Sequence, residues 1–520
     1  MYSQLKALIV VMVITLVVFA IAKPLVTRFM RAEDYERRRN TWLALTLAAF
    51  LIPNYWAYAV VAISIIGYAL NKERNPAALY LFLLLALPPV SLEIPTLGIV
   101  NRVFPLDHYR MLSLALLLPA ALRLRRGSRA SPADVAQVQA PGLGWLLTDI
   151  LLVAFAALQV GLLMPYESFT AIGRRIVVLG LDILLPYYVI SRACRSREDI
   201  VEAMASFALA AAVLAPIAVF EYFKFWLLYA SLEETWGAMA LHGYLTRGGH
   251  LRATVTMGHS IMLGYAMVMA LGFWLYLQSR VDKRAWRWLA LFTIIAGMIA
   301  AMARGPWVGS LAVLGVFLLA GPSAVGRTAK GVAILAAVAG VVLVSPWGGQ
   351  VVDYLPFVGT LDEGTVTYRQ QVASTSWAIV QQNPFFGSRS YAAQMEDLRQ
   401  GEGIIDILNV YANVALSYGL VGLGLLAGFL GVAAVRCFAA VRRTANSDRD
   451  FSMMGSGLLA SLAGALIIIG TVSNYLIVPY LYFSLGALAV AYAQLARQGA
   501  AAPAPVPAPA PLPNMGMRFR

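Results

Sequence analysis

The 520-residue chain has few charged residues, few histidines and few cysteines. Charged residues make up 13% of the sequence, against roughly 25% in soluble domains, which excludes an ordinary soluble globular protein. The two cysteines, Cys194 and Cys437, are far apart and each lies near an arginine at the end of an apolar run, so neither a disulfide nor a metal site is expected. The sequence also lacks a glycine-rich phosphate loop, a metal-ligand spacing and a Ser/His/Asp arrangement. These absences argue against an ATP-driven machine, and we predict no metal and no cofactor.

What the chain has in abundance is hydrophobic residues, which make up 60% of it and form long runs. At roughly 20 residues per span, these runs predict an all-α polytopic integral membrane protein with about 14 to 15 transmembrane helices and one large loop. The first run, 7–24, is followed by a basic stretch without a small-residue cleavage site, which predicts an uncleaved span. Runs 41–53 and 55–71 are separated by Pro53-Asn54, which predicts a helical hairpin. Further predicted spans include 77–91, 254–278 and 329–347.

The net charge of +14 comes from short basic clusters between apolar runs, as in topology signals rather than nucleic-acid modules. Most clusters fall on alternate connections of the predicted spans, which the positive-inside rule makes cytoplasmic. The N-terminus and the large loop are then outside, and the C-terminus is inside. The predicted regions are an N-terminal helix bundle at 1–347, a loop or cap at 348–407, C-terminal helices at 408–496 and an extended Ala/Pro-rich tail at 497–520.

Residues 351–407 form the only long polar segment between apolar runs. The pattern predicts a helix over Tyr368–Gln382, a break at Asn383-Pro384 and a turn at residues 386–388. We expect a folded cap on one side of the membrane, because apolar residues recur at helical spacing and argue against disorder. These residues are Val372, Trp377 and Val380.

Arginines on the predicted outer side depart from the charge bias and are the main candidates for chemistry. The guanidinium fork suits phosphate oxygens, so an outward arginine group predicts a site for a lipid-linked phosphate or diphosphate. The alternative is that these side chains reach lipid headgroups or pair with nearby acids. The candidates for binding phosphate or glycan are Arg174, Arg175, Arg247, Arg252, Arg304 and Arg369.

Arg304 is the sharpest single candidate, because residues 302–306 join two apolar runs by a very short turn. The Gly-Pro pair after it favours a helix start, which places the guanidinium near the positive end of a helix dipole, where an anion is stabilised. His259 follows Arg252 by about two helical turns, so both side chains are predicted to face one pocket. There the histidine either serves as a base, hydrogen-bonds a sugar or simply caps a helix.

A second polar stretch suits sugar recognition. Asn409 and Asn413 share a helix face at i,i+4, with Tyr411 elsewhere on the same helix. With Gly419 and Gly422 following, the stretch is equally consistent with helix packing.

Four of these stretches, in this order, resemble motifs of the O-antigen ligase/polymerase family of polytopic bacterial glycosyltransferases. The resemblance covers residues 245–425. The family has proline at 260, serine at 303 and histidine at 408, where this chain has Ser260, Ala303 and Leu408. The matching residues are Arg252 with Gly258-His259, Arg304-Gly305, Arg369 with Trp377, Asn383-Pro384 and Gly387, and Asn409 and Tyr411 with Gly419 and Gly422.

The resemblance implies metal-independent transfer of a glycan from an undecaprenyl-diphosphate carrier to a hydroxyl group, at the periplasmic face of the bacterial inner membrane. It implies that Arg252, Arg304 and Arg369 neutralise the diphosphate leaving group, while a base activates the acceptor. The family's ligases use the histidine for that task, and Leu408 cannot move a proton. The resemblance therefore favours a polymerase that builds a surface or secreted polysaccharide over a lipid A ligase, with His259 or an outer acidic residue as the base. The implied partners are the lipid bilayer, a flippase and a chain-length regulator, and no nucleic acid.

Two other classes stay open on the sequence alone. A transporter or flippase for a lipid-linked sugar predicts ionisable residues deep in the spans and internal repeats. Asp182 and the pair Glu221/Lys224 are candidates for the first feature, although the pair can neutralise itself, and the sequence shows no clear repeat. A structural membrane protein gives no reason for the outward arginines and histidines.

Overall fold

The computed structural model describes residues 2–94, 103–127, 146–238, 242–320, 363–399 and 405–501. These ranges are predominantly helical, and seven of their helices are long and apolar enough to cross a membrane. The predicted class, an all-α polytopic membrane protein, is confirmed. The total of about 14 to 15 spans at roughly 20 residues each stays a prediction, since the predicted span 329–347 lies outside the described residues.

The N-terminal region contains the predicted helical hairpin. Its helices are α1 (Tyr2–Val26), α2 (Ala32–Leu51), α3 (Tyr55–Asn71) and α4 (Pro76–Leu83). Asn54 begins α3 by accepting hydrogen bonds from the backbone N–H groups of Trp56 and Ala57, at 2.9 and 3.0 Å. A side-chain cap of this kind satisfies donors at the start of the helix, so α2 and α3 are separate elements.

Helix α4 is shorter than the predicted span 77–91. It ends at Leu83, and the chain continues to β1 (Leu92–Glu93), which pairs antiparallel with β2 (Pro105–Leu106). Pro88 and Pro89 lie in between, and proline neither donates a helical N–H nor favours a helical residue before it. The predicted span 77–91 is therefore helical only over its first part, and its residues 77–90 are buried.

The middle of the chain builds the centre of the bundle. Its helices are α5 (His108–Leu112), α6 (Leu118–Gly127), α7 (Leu147–Gly161), α8 (Phe169–Leu179), α9 (Leu185–Ala193), α10 (Arg197–Lys224), α11 (Ala230–Trp236), α12 (Ser260–Leu277), α13 (Arg284–Ala300) and α14 (Arg304–Ala320), with π-helical turns at Ser113–Leu117 and Gly180–Leu184. Between α11 and α12, β3 (Thr246–Arg247) and β4 (His250–Leu251) form a hairpin. The predicted span 254–278 begins late, because Val255–Met257 is a short 3₁₀ turn.

The C-terminal region contains the cap and three long helices. They are α15 (Glu363–Gln382), α16 (Val410–Thr444), α17 (Arg449–Ile469) and α18 (Val478–Ala501). The predicted cap helix is present as α15, which begins five residues earlier than expected and ends where Asn383-Pro384 predicted. Val372 and Val380 are 5% and 4% exposed, whereas Trp377 is 58% exposed, so the tryptophan does not belong to the small core of the cap.

Close contacts between small residues hold the central helices together. Helix α12 is buried along nearly its whole length. A side chain at Gly272 would meet Ser461 of α17, and one at Gly264 would meet Pro306 of α14. In a membrane, apolar burial alone does not favour one helix partner over another. Small residues then stabilise particular pairs, because they let the helix backbones approach closely.

Within the described residues, ion pairs bring several of the basic connections together on one face. Arg38 is fully buried and its guanidinium contacts Glu73 at 2.8 Å and Glu202 at 2.6 Å. Arg280 contacts Asp450 at 2.6 Å on the same face. We call this the basic face, and the opposite one, which carries α15 and the β3–β4 hairpin, the cap face. That the basic face is cytoplasmic stays a prediction from the positive-inside rule.

Candidate active site

Arg304 lies at a tightly fixed turn on the cap face. It is the first residue of α14 and follows Met302, which has a positive φ of 48°. The Arg247 guanidinium donates a hydrogen bond to the Met302 carbonyl at 2.6 Å. On the other side, a Cβ at Gly305 would lie 2.4 Å from the Thr471 hydroxyl oxygen. Strained backbone persists only where its surroundings hold it, so the position of Arg304 at the positive end of α14 is well defined.

The β3–β4 hairpin brings Arg247 and Arg252 to the same region. Gly248 and Gly249, the two residues of its turn, have positive φ values of 55° and 78°, which glycine adopts without steric cost. The Arg252 backbone N–H donates to the Leu245 carbonyl at 2.9 Å. Because the turn is closed, Arg247 and Arg252 are both held by one short, rigid element.

Arg369 of α15 completes a group of three arginines. Burial lowers the pKa of the Arg369 guanidinium, and the positive charges of Arg247 and Arg304 lower it further, whereas the negative charge of Asp406 raises it. Arginine stays protonated at physiological pH despite such shifts, so three positive charges converge here. We call Arg247, Arg304 and Arg369 the arginine cluster. A bound anion would relieve their mutual repulsion.

Asp406 is the acidic residue beside this cluster, and the sequence reading missed it. Its carboxylate accepts a hydrogen bond from the Ser473 hydroxyl, and its backbone N–H donates to the Tyr368 hydroxyl at 3.1 Å. Burial and the Asp406 charge together raise the pKa of Tyr475 to about 12. The available signal was its place in the sequence, two residues before Leu408, where the family has histidine.

His259 caps the start of α12 in this structure. Its Nδ1 accepts from the Ile261 backbone N–H at 3.2 Å and caps α12. Burial and the positive charge of Arg252 lower its pKa to about 4, so the ring is neutral at physiological pH and carries its proton on Nε2. Arg252 lies close enough to His259 for its charge to act on the ring, through an irregular segment and not two helical turns, and that both face one pocket stays a prediction. A neutral ring with Nδ1 occupied can donate from Nε2 but is a poor base.

The segment between Arg252 and His259 is held by buried polar groups. Val255 has a positive φ of 47°, which is unusual for a β-branched residue. Its N–H donates to the Glu221 carboxylate at 2.9 Å, and its carbonyl accepts from His242 Nε2 at 2.8 Å. The predicted neutralising pair of Glu221 with Lys224 is therefore wrong: the end of α10 turns Glu221 into the protein, where backbone N–H groups satisfy it, and leaves Lys224 exposed.

The cap is anchored in a break of α16. Gly419 has non-helical backbone angles (φ 67°, ψ −171°), and Gly387 has a positive φ of 73°. The Leu420 N–H donates to the Pro384 carbonyl at 2.7 Å, and the Ser388 N–H donates to the Leu416 carbonyl at 2.7 Å. The predicted turn after Asn383-Pro384 is thus docked into α16, which positions α15 and Arg369. Gly419 serves this break, and the helix-packing interpretation of Gly419 and Gly422 stays a prediction.

Two predicted sugar-binding residues have their polar groups engaged inside the protein. Asn409 caps α16 by accepting from the Ala412 N–H at 3.1 Å, and the Tyr411 hydroxyl donates to the Leu466 carbonyl of α17 at 2.7 Å. Their role as substrate ligands stays a prediction. Asn413, one turn further along, lines a cavity.

Arg174 and Arg175 lie on α8, and the structure places Arg175 in that same cavity. The Arg175 guanidinium donates to Gln159 at 2.7 Å and to the Tyr418 hydroxyl at 3.0 Å. The cavity has a volume of about 570 Å³. We call it the tyrosine cavity after four of its lining residues, Tyr418, Tyr475, Tyr480 and Tyr482. None of the three residues of the arginine cluster lines this cavity, so Arg175 and Arg304 lie at different sites.

The arrangement on the cap face is typical of anion binding beside a carboxylate. Within the described ranges, no group of three or more His, Cys, Asp or Glu side chains is placed to hold a metal ion. Residues 289–427 match the O-antigen ligase family. The matched part of the chain includes Arg304, Arg369 and Asp406, and it confirms the family resemblance expected from the motifs.

The match supports a function of the O-antigen ligase or polymerase type, and thus a glycosyltransferase-like membrane enzyme. Residues Arg247, Arg252 and His259 lie before the matched range, although the structure places Arg247 in the arginine cluster. No curated protein matches the sequence.

Proposed function

We propose that the protein polymerises undecaprenyl-diphosphate-linked oligosaccharide repeat units into a surface or secreted polysaccharide at the cap face. The observation that carries the proposal is that Arg247 contacts the turn before Arg304 at 2.6 Å, while Asp406 is held to Tyr368 at 3.1 Å, next to Arg369, on which the charges of all three residues act. Three guanidiniums in one place suit a diphosphate, because each can donate paired hydrogen bonds to phosphate oxygens. A carboxylate next to them suits a proton acceptor for the attacking hydroxyl.

In the proposed reaction, the acceptor hydroxyl oxygen attacks the anomeric carbon of the donor glycan. The bond between that carbon and the diphosphate oxygen breaks, and its electron pair stays on the diphosphate. The arginine cluster stabilises the added negative charge, and the proton of the hydroxyl passes to Asp406. His259, with its proton on Nε2, and Arg252 beside it donate hydrogen bonds to the donor.

The choice of polymerase is supported by Leu408, which removes the histidine that the family's ligases use as a base. A ligase that transfers the glycan to the lipid A core or another acceptor is the second candidate. It is favoured by the family description, which names a ligase for residues 289–427. Asp406, two residues from Leu408, supplies a proton acceptor for either reaction.

Glycan analysis in cells tests the proposal. Cells lacking the gene are complemented with wild type, Arg304→Ala, Asp406→Asn or the control Arg389→Ala, an exposed cap-face arginine paired with Glu167. We expect Arg304→Ala to lower the polymerisation rate roughly 10- to 100-fold through lost charge-assisted bonds. We expect Asp406→Asn to lower it roughly 10²- to 10⁴-fold through lost proton transfer. Single repeat units then accumulate on the carrier, while Arg389→Ala behaves as wild type.

Other outcomes identify the alternatives. Full-length polymer that stays on the carrier and never reaches its final anchor identifies a ligase. Normal polymer in the Arg304→Ala cells, with repeat units held on the cytoplasmic side in the deletion cells, identifies a transporter and contradicts the proposal.

A further inference from the structure

We propose that the tyrosine cavity binds the sugar residues of the acceptor glycan and presents their hydroxyl group to Asp406. This inference rests on the proposed function and adds the place and the chemical class of the second substrate. The cavity lies among the cap-face ends of α7, α8, α16 and α18. Its volume of about 570 Å³ is in the range of roughly 300–1,000 Å³ that is usual for small-molecule sites.

The charges that line the tyrosine cavity balance one another. Its charged lining residues are Arg110, Arg175, Asp107 and Asp182. Arg110 donates to both carboxylate oxygens of Asp182, at 3.1 and 2.8 Å. Two positive charges are therefore offset by two negative ones, which suits an uncharged polar ligand rather than a diphosphate.

The remaining lining has the groups that bind sugars. Asn413 and Asn474 present amides, which both donate and accept hydrogen bonds, as sugar hydroxyls do. Tyrosine rings offer apolar faces with a polar tip, against which the C–H face of a sugar ring can pack. Tyr109 and Tyr480 pack with their ring planes tilted by 37° and their centroids 4.6 Å apart, and both line this wall.

A short segment connects the cavity to the proposed base. Ser473 donates a hydrogen bond to the Asp406 carboxylate, while Asn474 and Tyr475, the next two residues, line the cavity. Asp406 also lies close enough to Tyr475 for its charge to raise the pKa of the phenol. The segment that lines the cavity therefore also contacts, through Ser473, the carboxylate that we propose as the proton acceptor, and the charge of that carboxylate acts on Arg369 of the arginine cluster.

Binding to the full-length protein in nanodiscs tests the inference with two probes. The first is the oligosaccharide released by mild acid from the carrier-linked glycans of cells lacking the gene. The second is farnesyl diphosphate, which tests the arginine cluster. We expect Asn413→Ala and Asn474→Ala each to weaken oligosaccharide binding roughly three- to tenfold, as expected for the loss of one or two neutral hydrogen bonds. Neither variant changes the affinity for farnesyl diphosphate.

Two controls make the result specific. Tyr166→Ala alters a 70% exposed tyrosine of the α7–α8 connection outside the cavity lining and leaves both affinities unchanged. Arg304→Ala weakens farnesyl diphosphate binding and leaves oligosaccharide binding unchanged. An unfolding temperature equal to that of wild type shows that a variant is folded. If one of the two asparagine variants is unstable, the other one tests the cavity.

The failures of the two proposals are distinguishable. Wild type that does not bind the oligosaccharide, or cavity variants that bind it as wild type does, overturn the inference about the cavity. Farnesyl diphosphate binding that is insensitive to Arg304→Ala overturns the diphosphate site and leaves the cavity result standing.

Discussion

At the scale of single residues, burial and neighbouring groups decide chemistry that the residue type leaves open. His259 was a candidate base by sequence, but its Nδ1 accepts a backbone N–H and Arg252 disfavours its charged form. Asp406 was not a candidate, yet it lies beside Arg369. Both outcomes depend on contacts with other segments, which the residue types at these positions do not reveal.

The pH dependence of stability tests the state of His259. The pKa of His259 in the folded protein, about 4, lies below the usual histidine value of 6.5, so the unfolded chain binds more protons between these values. Stability therefore falls as the pH drops from 6.5 to 4. In His259→Asn, which retains a good helix-capping residue, we expect the unfolding temperature to fall less steeply over this pH window. His250→Asn, which changes an exposed histidine on β4, should leave the slope as in wild type. Equal slopes in wild type and His259→Asn would show that the ring is not held neutral.

At the scale of elements, the most important feature is the junction between the cap and α16. The sequence predicted the cap helix, its end at Asn383-Pro384 and the turn that follows, because these depend on local periodicity and on proline. It did not predict the break at Gly419, since the residues around Gly419 read as a continuous apolar helix. The break exists because the 384–388 turn supplies backbone hydrogen bonds to it from another element.

Glycine substitutions test this junction. At Gly419 a Cβ would lie 2.2 Å from the Phe385 backbone, and its backbone angles belong to a region that is essentially limited to glycine, with a cost of roughly 1–3 kcal/mol for other residues. We expect Gly419→Ala to loosen the cap, with faster proteolysis after residue 382 and lower activity. Gly424→Ala is the matched control, because it lies in the same helix with nothing within 4 Å of its Cβ position. Equal protease resistance in both variants would argue against a docked cap.

At the scale of the whole molecule, two faces with different charge arrangements define the protein. On the basic face, arginines pair with acids that are distant in sequence. Arg38 of α2, for example, pairs with Glu73, which precedes α4, and with Glu202 of α10. On the cap face, the positive charges of Arg247 and Arg304 and the negative charge of Asp406 all act on Arg369. The first arrangement stabilises the bundle, and the second is suited to a ligand.

Replacing Arg38 tests the structural role of the basic face. Arg38→Met removes the buried cation between the Glu73 and Glu202 carboxylates and leaves Glu73 with Arg37 alone, at 3.1 Å, and removing one partner of a buried ion pair costs roughly 3–5 kcal/mol. We expect a clear drop in the unfolding temperature of the purified protein. Arg39→Met, its neighbour on α2 with an exposed hydrogen bond to Asn40, should change stability by less than about 0.5 kcal/mol. A similar effect of both substitutions would contradict the buried role of Arg38.

The sequence by itself determined the helical membrane class, the common face of the basic connections, the cap helix and the turn at Arg304. These follow from local hydrophobicity, charge bias and turn residues, which need no partner from elsewhere in the chain. Only the tertiary structure decided that Arg247, Arg304 and Arg369 meet beside Asp406, that Glu221 turns to backbone N–H groups, and that Gly419 interrupts α16. Each of these depends on side chains or backbone groups from segments far apart in sequence, and their distances are set by packing of the whole bundle.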